Sequence, residues 1–150
     1  MRKTLSYRLF GLGGISTREC MLIEAEGVVI ADEGMPGRLV MHRVAGPGRG
    51  YRGRIEGFSG FLVITRRRIL AYSYRKRQIN IGVDDPRLPD LYVRLPSPDT
   101  LAVSFEASLF REGWSGVMEF RFCTDKALSF HEALRQLGLR EGRGRGCDMG

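Results

Sequence analysis

Eight basic side chains crowd the middle of the chain: Arg52 and Arg54, then Arg66, Arg67 and Arg68, then Arg75, Lys76 and Arg77. Guanidinium and ammonium groups hold anions, by charge and by hydrogen bonds to phosphate or carboxylate oxygens. They are the candidate contacts for an anionic partner. Residues 38–77 carry eleven Lys and Arg against a single acid, Glu56, whereas residues 78–134 carry five against nine acids. A chain polarised in this way steers anionic partners toward one region. Three successive solvated loops would give the same count without any binding role.

Other chemistry is thin. Cys20 or Cys123 with His42 or His131 could form a nucleophile and base. But Cys123 falls on a strand leading into a helix, and His131 falls on that helix, so packing is the expected role of both. Asp84-Asp85 stands before Pro86, where acids cap turns without catalysing anything. Gly11-Leu12-Gly13-Gly14 lacks the third glycine of a dinucleotide fingerprint and follows no clear strand. Three scattered cysteines and two histidines give neither a zinc spacing nor a disulfide framework. No catalytic group, metal or cofactor is expected, and an enzyme is the least supported class. Trp114, beside Phe110 at the tip of the last hairpin, is the candidate interface aromatic. An exposed indole there would anchor a membrane or a partner, but folding back onto the body is the expectation for a lone aromatic.

The elements that must carry these residues follow from patterning. At 150 residues and 43% hydrophobic content, one domain with a proper core is expected. No apolar run approaches the ~20 residues of a membrane span. The N-terminus starts basic, but Tyr7 and Arg8 interrupt any signal-like apolar region, which points to a cytoplasmic protein.

Ser16-Thr17-Arg18-Glu19 has capping-box spacing, so a short helix could start there. The apolar, β-branched stretch after it reads instead as a strand across 21–31. Asp32-Glu33-Gly34-Met35-Pro36-Gly37 reads as a turn, Arg38 to Val44 as a second strand, and Ala45 to Gly57 as a long mobile loop. Phe61–Thr65 and Ile69–Ser73 predict a hairpin closed by the three arginines. A basic turn at Arg75-Lys76-Arg77 leads to a strand over 78–83, and another covers 91–95. Leu101, Val103 and Phe105, then Met118, Phe120 and Phe122, alternate with polar or small residues and predict inward faces. Ala127, Phe130, Leu134 and Leu137 then take up helical spacing, with Thr124 or Asp125 as cap and Gly138 as stop.

The reading is mainly β, with one helix: an antiparallel, partly open seven- to eight-stranded barrel capped by a C-terminal α-helix. Residues 1–20 are expected to be a flexible or loosely packed segment, 21–138 the domain, and 139–150 a disordered basic tail. This outline resembles the pleckstrin-homology-like superfold, closest in flavour to bacterial PH and GRAM-type domains. The motif is the hairpin Gly60-Phe61-Leu62-Val63-Ile64-Thr65-Arg66-Arg67-Arg68-Ile69. Membrane-binding members hold phosphoinositides with Lys and Arg between their first two strands. Here the segment assigned to that turn, residues 32–37, is acidic and would repel a phosphate.

The resemblance implies a non-enzymatic binding module, foremost a cytoplasmic protein-interaction or regulatory adaptor, with self-association as one form of it. The alternatives are peripheral binding to an anionic membrane surface through the basic loops, and nucleic-acid binding with Tyr51, Tyr72 and Tyr74 stacking on bases.

Overall fold

A computed structural model of the protein describes residues 3, 4, 8, 11, 13–51 and 53–142, with the side chains of residues 49 and 51 left aside. Arg52, Cys147 and residues 143–150 of the expected tail lie outside the described residues. The capping box is real. Ser16 Oγ accepts from the Glu19 amide at 3.2 Å and lies 2.9 Å from Glu19 Oε1, opening helix α1 (Thr17–Glu26). Gly27, at φ 82°, ends it in a conformation only glycine adopts cheaply. The strand expected across 21–31 is therefore corrected: residues 21–26 are helical and extended structure begins at Val28.

From there the chain builds one curled sheet. Its strands are β1 (Val28–Gly46), β2 (Arg49–Tyr51), β3 (Arg54–Thr65), β4 (Arg68–Ser73), β5 (Lys76–Gly82), β6 (Tyr92–Ser97), β7 (Thr100–Glu106) and β8 (Ser115–Cys123). Helix α2 (Ala127–Leu137) follows, then a two-residue strand, β9 (Arg140–Glu141). The order is β5-β4-β3-β1-β8-β7-β6-β9, with β2 paired to β1 alone. All pairings are antiparallel except β6 with β9. The mainly β, half-barrel sheet with a helix after it is the fold class the patterning predicts.

Two loops of the sequence reading are strand. The acidic segment 32–37 is no turn; it lies inside β1, which pairs with β3 past it, from Val28↔Thr65 to Met41↔Arg54. The register slips between Asp32 and Met35, and Gly34 takes φ 65° there, so the turn-like composition marks a bulge. Pro36 is tolerated because pairing with β8 begins only at Gly37↔Phe122. Likewise, residues 45–57 are not one mobile loop: they hold the end of β1, all of β2 and the start of β3.

The concave side of the sheet encloses the main core, where Phe58 meets Phe122 edge-on at 5.5 Å and Phe120 at 6.0 Å. Leu101, Val103, Phe105, Met118, Phe120 and Phe122 all point inward as their alternation predicts. Phe130 and Leu134 of α2 join the same core, placing the helix over β6 and β7. Thr124 Oγ1 accepts from the Lys126 amide just before α2, and Gly138 stops it, with the Leu139 amide donating back to Leu134 O.

Leu139 to Gly142 depart from the expected tail. Leu139 is buried, the Arg140 and Gly142 amides donate to Leu91 O and Val93 O, and His131 Nε2 lies 2.6 Å from Glu141 Oε1. A smaller cluster lies on the other side of the sheet: Ile23 of α1 covers Phe61, Val63 and Leu70, with Ile15, Ala31 and Tyr72 around them. Near the N-terminus, Lys3 Nζ lies 2.6 Å from Asp32 Oδ1, and the Ile15 amide donates to Glu33. The described part of the segment expected to be loose is thus tied to the β1 bulge.

Candidate interaction surface

The β3–β4 hairpin separates the cations into two groups. Ile64↔Ile69 pair beside Arg66 and Arg67 at one end of the hairpin, and Gly60↔Ser73 pair at the other end, where Tyr74 and Arg75 turn the chain. Arg67 and Arg75 are eight residues apart on extended chain, so the two turns stand ~26 Å from each other at ~3.3 Å per residue. Arg66 and Arg67 are exposed, as are Arg75, Lys76 and Arg77. Arg54 sits with the second group and is 2.9 Å from Glu56.

Arg68 is engaged differently. Its Nε donates to Glu26 Oε1 at 3.0 Å, and its Nη2 is paired with Glu26 Oε2. Thr65 Oγ1 also donates to Glu26. Burial alone would raise the Glu26 carboxyl, but the hydrogen bonds of Arg68 and Thr65 and the nearby cations carry it below its ordinary value. Arg68 therefore ties β4 to the end of α1.

The aromatic candidates are occupied as well. Trp114 is half-buried: its ring lies over Gly46, and the Arg111 guanidinium stands 5.4 Å above it. Tyr72 stacks on Phe61, centroids 4.6 Å apart. Burial, then a hydrogen bond to Glu19, raises its phenol above the ordinary value. Tyr72 is thus held under α1 and offers no platform for a base. The Tyr74 hydroxyl donates to Gly57 O, and the Tyr51 side chain is outside the described residues.

Nor do the groups considered for nucleophilic chemistry gather. Cys20 is on α1 and Cys123 ends β8. His42 faces Val117 across β1 and β8, while His131 is engaged with Glu141. Among the described residues no cluster of His, Cys, Asp and Glu could hold a metal ion, and no helix is long and apolar enough to cross a membrane. An open groove of about 680 Å³ runs beside β6 and β7, lined by Tyr92, Ser104, Leu109 and the carboxylates of Asp90, Glu106 and Glu141.

A feature the sequence reading missed is the outer side of α1. Ile23 faces the sheet, so Met21, Leu22 and Ala25 face away, flanked by Arg18 and Glu24. Met21 is 69% exposed and Leu22 58%; Val28 and Val29, just past the helix, are 46% and 56% exposed. The stripe sits on a helix held to the sheet by Ile23 and at its end by Arg68–Glu26. A side chain of this kind contributes about 1.5–3 kcal/mol when a partner covers it fully. The chain matches no protein-family model, and no curated protein matches it in sequence.

Proposed function

We propose that the protein is a non-enzymatic binding module of the pleckstrin-homology-like, GRAM-like kind, acting in the cytoplasm as a protein-interaction or regulatory adaptor. The architecture supports this reading: an antiparallel meander closed by β8 against β1, a helix over the mouth, and the Gly60–Ile69 motif on the β3–β4 hairpin. The observation that carries the function is the exposed apolar stripe of α1, because contiguous apolar surface on a rigid element marks a place where a partner sits.

The anionic-membrane reading is the runner-up. The acidic segment once set against it is mid-strand rather than a loop, but the exposed cations of the β3–β4 hairpin are divided between two distant turns. Nucleic-acid binding is weaker still, with Tyr72 already stacked on Phe61 and bonded to Glu19. A photoreactive side chain at Leu22 tests the proposal against one at exposed Pro89. Protein adducts are expected at Leu22 and not at Pro89. Equal yields at both, or adducts to lipid or nucleic acid in place of protein, would overturn it.

A further inference from the structure

We propose that the occupant of the α1 stripe is a second copy of this chain, docked antiparallel across a two-fold axis between Met21 and Leu22. The inference rests on the stripe being the contact face, and goes further by naming what covers it. Three features of the helix lead there.

The first is that the stripe complements itself. In an antiparallel crossing centred at residues 21 and 22, Met21 of one copy meets Leu22 of the other. The isologous symmetry makes each contact occur twice. Arg18 then lies level with Glu24 and Ala25 of the second copy, so its long side chain reaches an opposite charge at each end of the apolar centre. Both Arg18 and Glu24 are exposed, and neither has an ion pair among the described residues.

The second is the charge of the helix. α1 carries one Arg, Arg18, and three glutamates, Glu19, Glu24 and Glu26. Glu26 is paired with Arg68 and Glu19 is only partly exposed, so the exposed charges of the helix are Arg18 and Glu24, and a second α1 brings the opposite charge to each. The third is reach. Val28 and Val29 add exposed apolar surface beside the C-terminal end of the ten-residue helix, where β1 turns back along β3.

Sedimentation equilibrium of the purified chain tests this. The parent is expected to be a concentration-dependent dimer. Met21→Ser with Leu22→Ser should give a monomer that melts as cooperatively as the parent and at the temperature of the parent diluted until it dissociates, since both side chains are exposed on the single chain. Arg18→Glu or Glu24→Arg alone should raise the dimer dissociation constant about tenfold, by turning two attractive pairs into repulsive ones. The double variant Arg18→Glu/Glu24→Arg should restore it. A monomeric parent, a dimer indifferent to the serine pair, or charge reversals that do not rescue each other would each overturn the inference. A monomeric parent that still gives Leu22 adducts to a different protein would sink the second copy and leave the adaptor reading standing. A monomer with no adducts at Leu22 would sink both.

Discussion

Replacing Glu119 by Ala should be among the most costly single changes in this protein. Glu119 is 5% exposed and Arg94 8%, and their side chains meet bidentately, Nε to Oε2 and Nη2 to Oε1, both at 3.1 Å. Arg121 Nε adds a third bond at 2.7 Å. Removing the carboxylate leaves the Arg94 guanidinium buried without its counter-charge. Breaking a buried pair in this way costs about 3–5 kcal/mol, a large share of the ~5–15 kcal/mol that holds a domain folded. With a urea slope near 2 kcal/mol per M, the unfolding midpoint should fall by about 2 M.

Removing both charges is a different perturbation. Arg94→Met with Glu119→Leu should recover most of the loss, because well-packed apolar residues replace such a pair at little cost. Arg121 is less buried and can turn to water. The pH dependence has a definite sign. Burial alone would push the Glu119 carboxyl above 4.5, but hydrogen bonds and charge from Arg94 and Arg121 hold it below that value. A carboxyl lowered by folding contributes stability above its unfolded pKa and loses it as pH falls through the folded value. The gap between parent and Glu119→Ala should thus be widest near neutrality and close below about pH 4.5. A loss under about 1 kcal/mol in urea melts, a double variant no better than the single, or a gap that widens in acid would refute the argument.

Phe120→Ala should cost about 3–5 kcal/mol in denaturant melts, since the ring packs among Phe58, Phe105 and Phe122. Leu139→Ala should cost about 2–3 kcal/mol and deletion of 139–150 at least as much; unchanged melting temperatures would show that β9 is not docked. Arg66→Ser with Arg67→Ser should leave the melting temperature alone. Arg68→Ser should lower stability by about 1–3 kcal/mol, because the Glu26 carboxylate loses its partner, and equal effects of the two changes would refute that role for Arg68.

The parts of the fold that could be read in advance have one side dry and the other wet. Period two across Leu101 to Phe105 and Met118 to Phe122, and 3.6 across Ala127 to Leu134, followed directly from that asymmetry. α1 broke the rule: its exposed face is as apolar as its buried one, so periodicity could not separate Met21 and Leu22 from a strand. The available signal lay on the sheet, in the unbroken run Phe61-Leu62-Val63-Ile64, buried on both faces and so in need of a cover. The β1 bulge was hidden because Asp, Gly and Pro compose turns and bulges alike. At the surface, composition located the cations. It could not tell that Arg68 was spent on Glu26, 42 positions away in sequence.

The pairing of β1 with β8 bears on how the chain finds its fold. β1 to β5 form one run of strands with near-neighbour pairings, and β6 to β8 form another. They join along a seam that runs from Gly37↔Phe122 to Ala45↔Ser115. Each half can zip up from its own tight turns, but the seam must wait until Cys123 has been made. Until then the inward side chains of Leu39 and Met41 have no cover from Phe120 and Met118. Sealing contacts this far apart in sequence is the slow kind of step. The half-formed sheet, with a bare central strand, is the species in which the protein is most exposed to aggregation during synthesis.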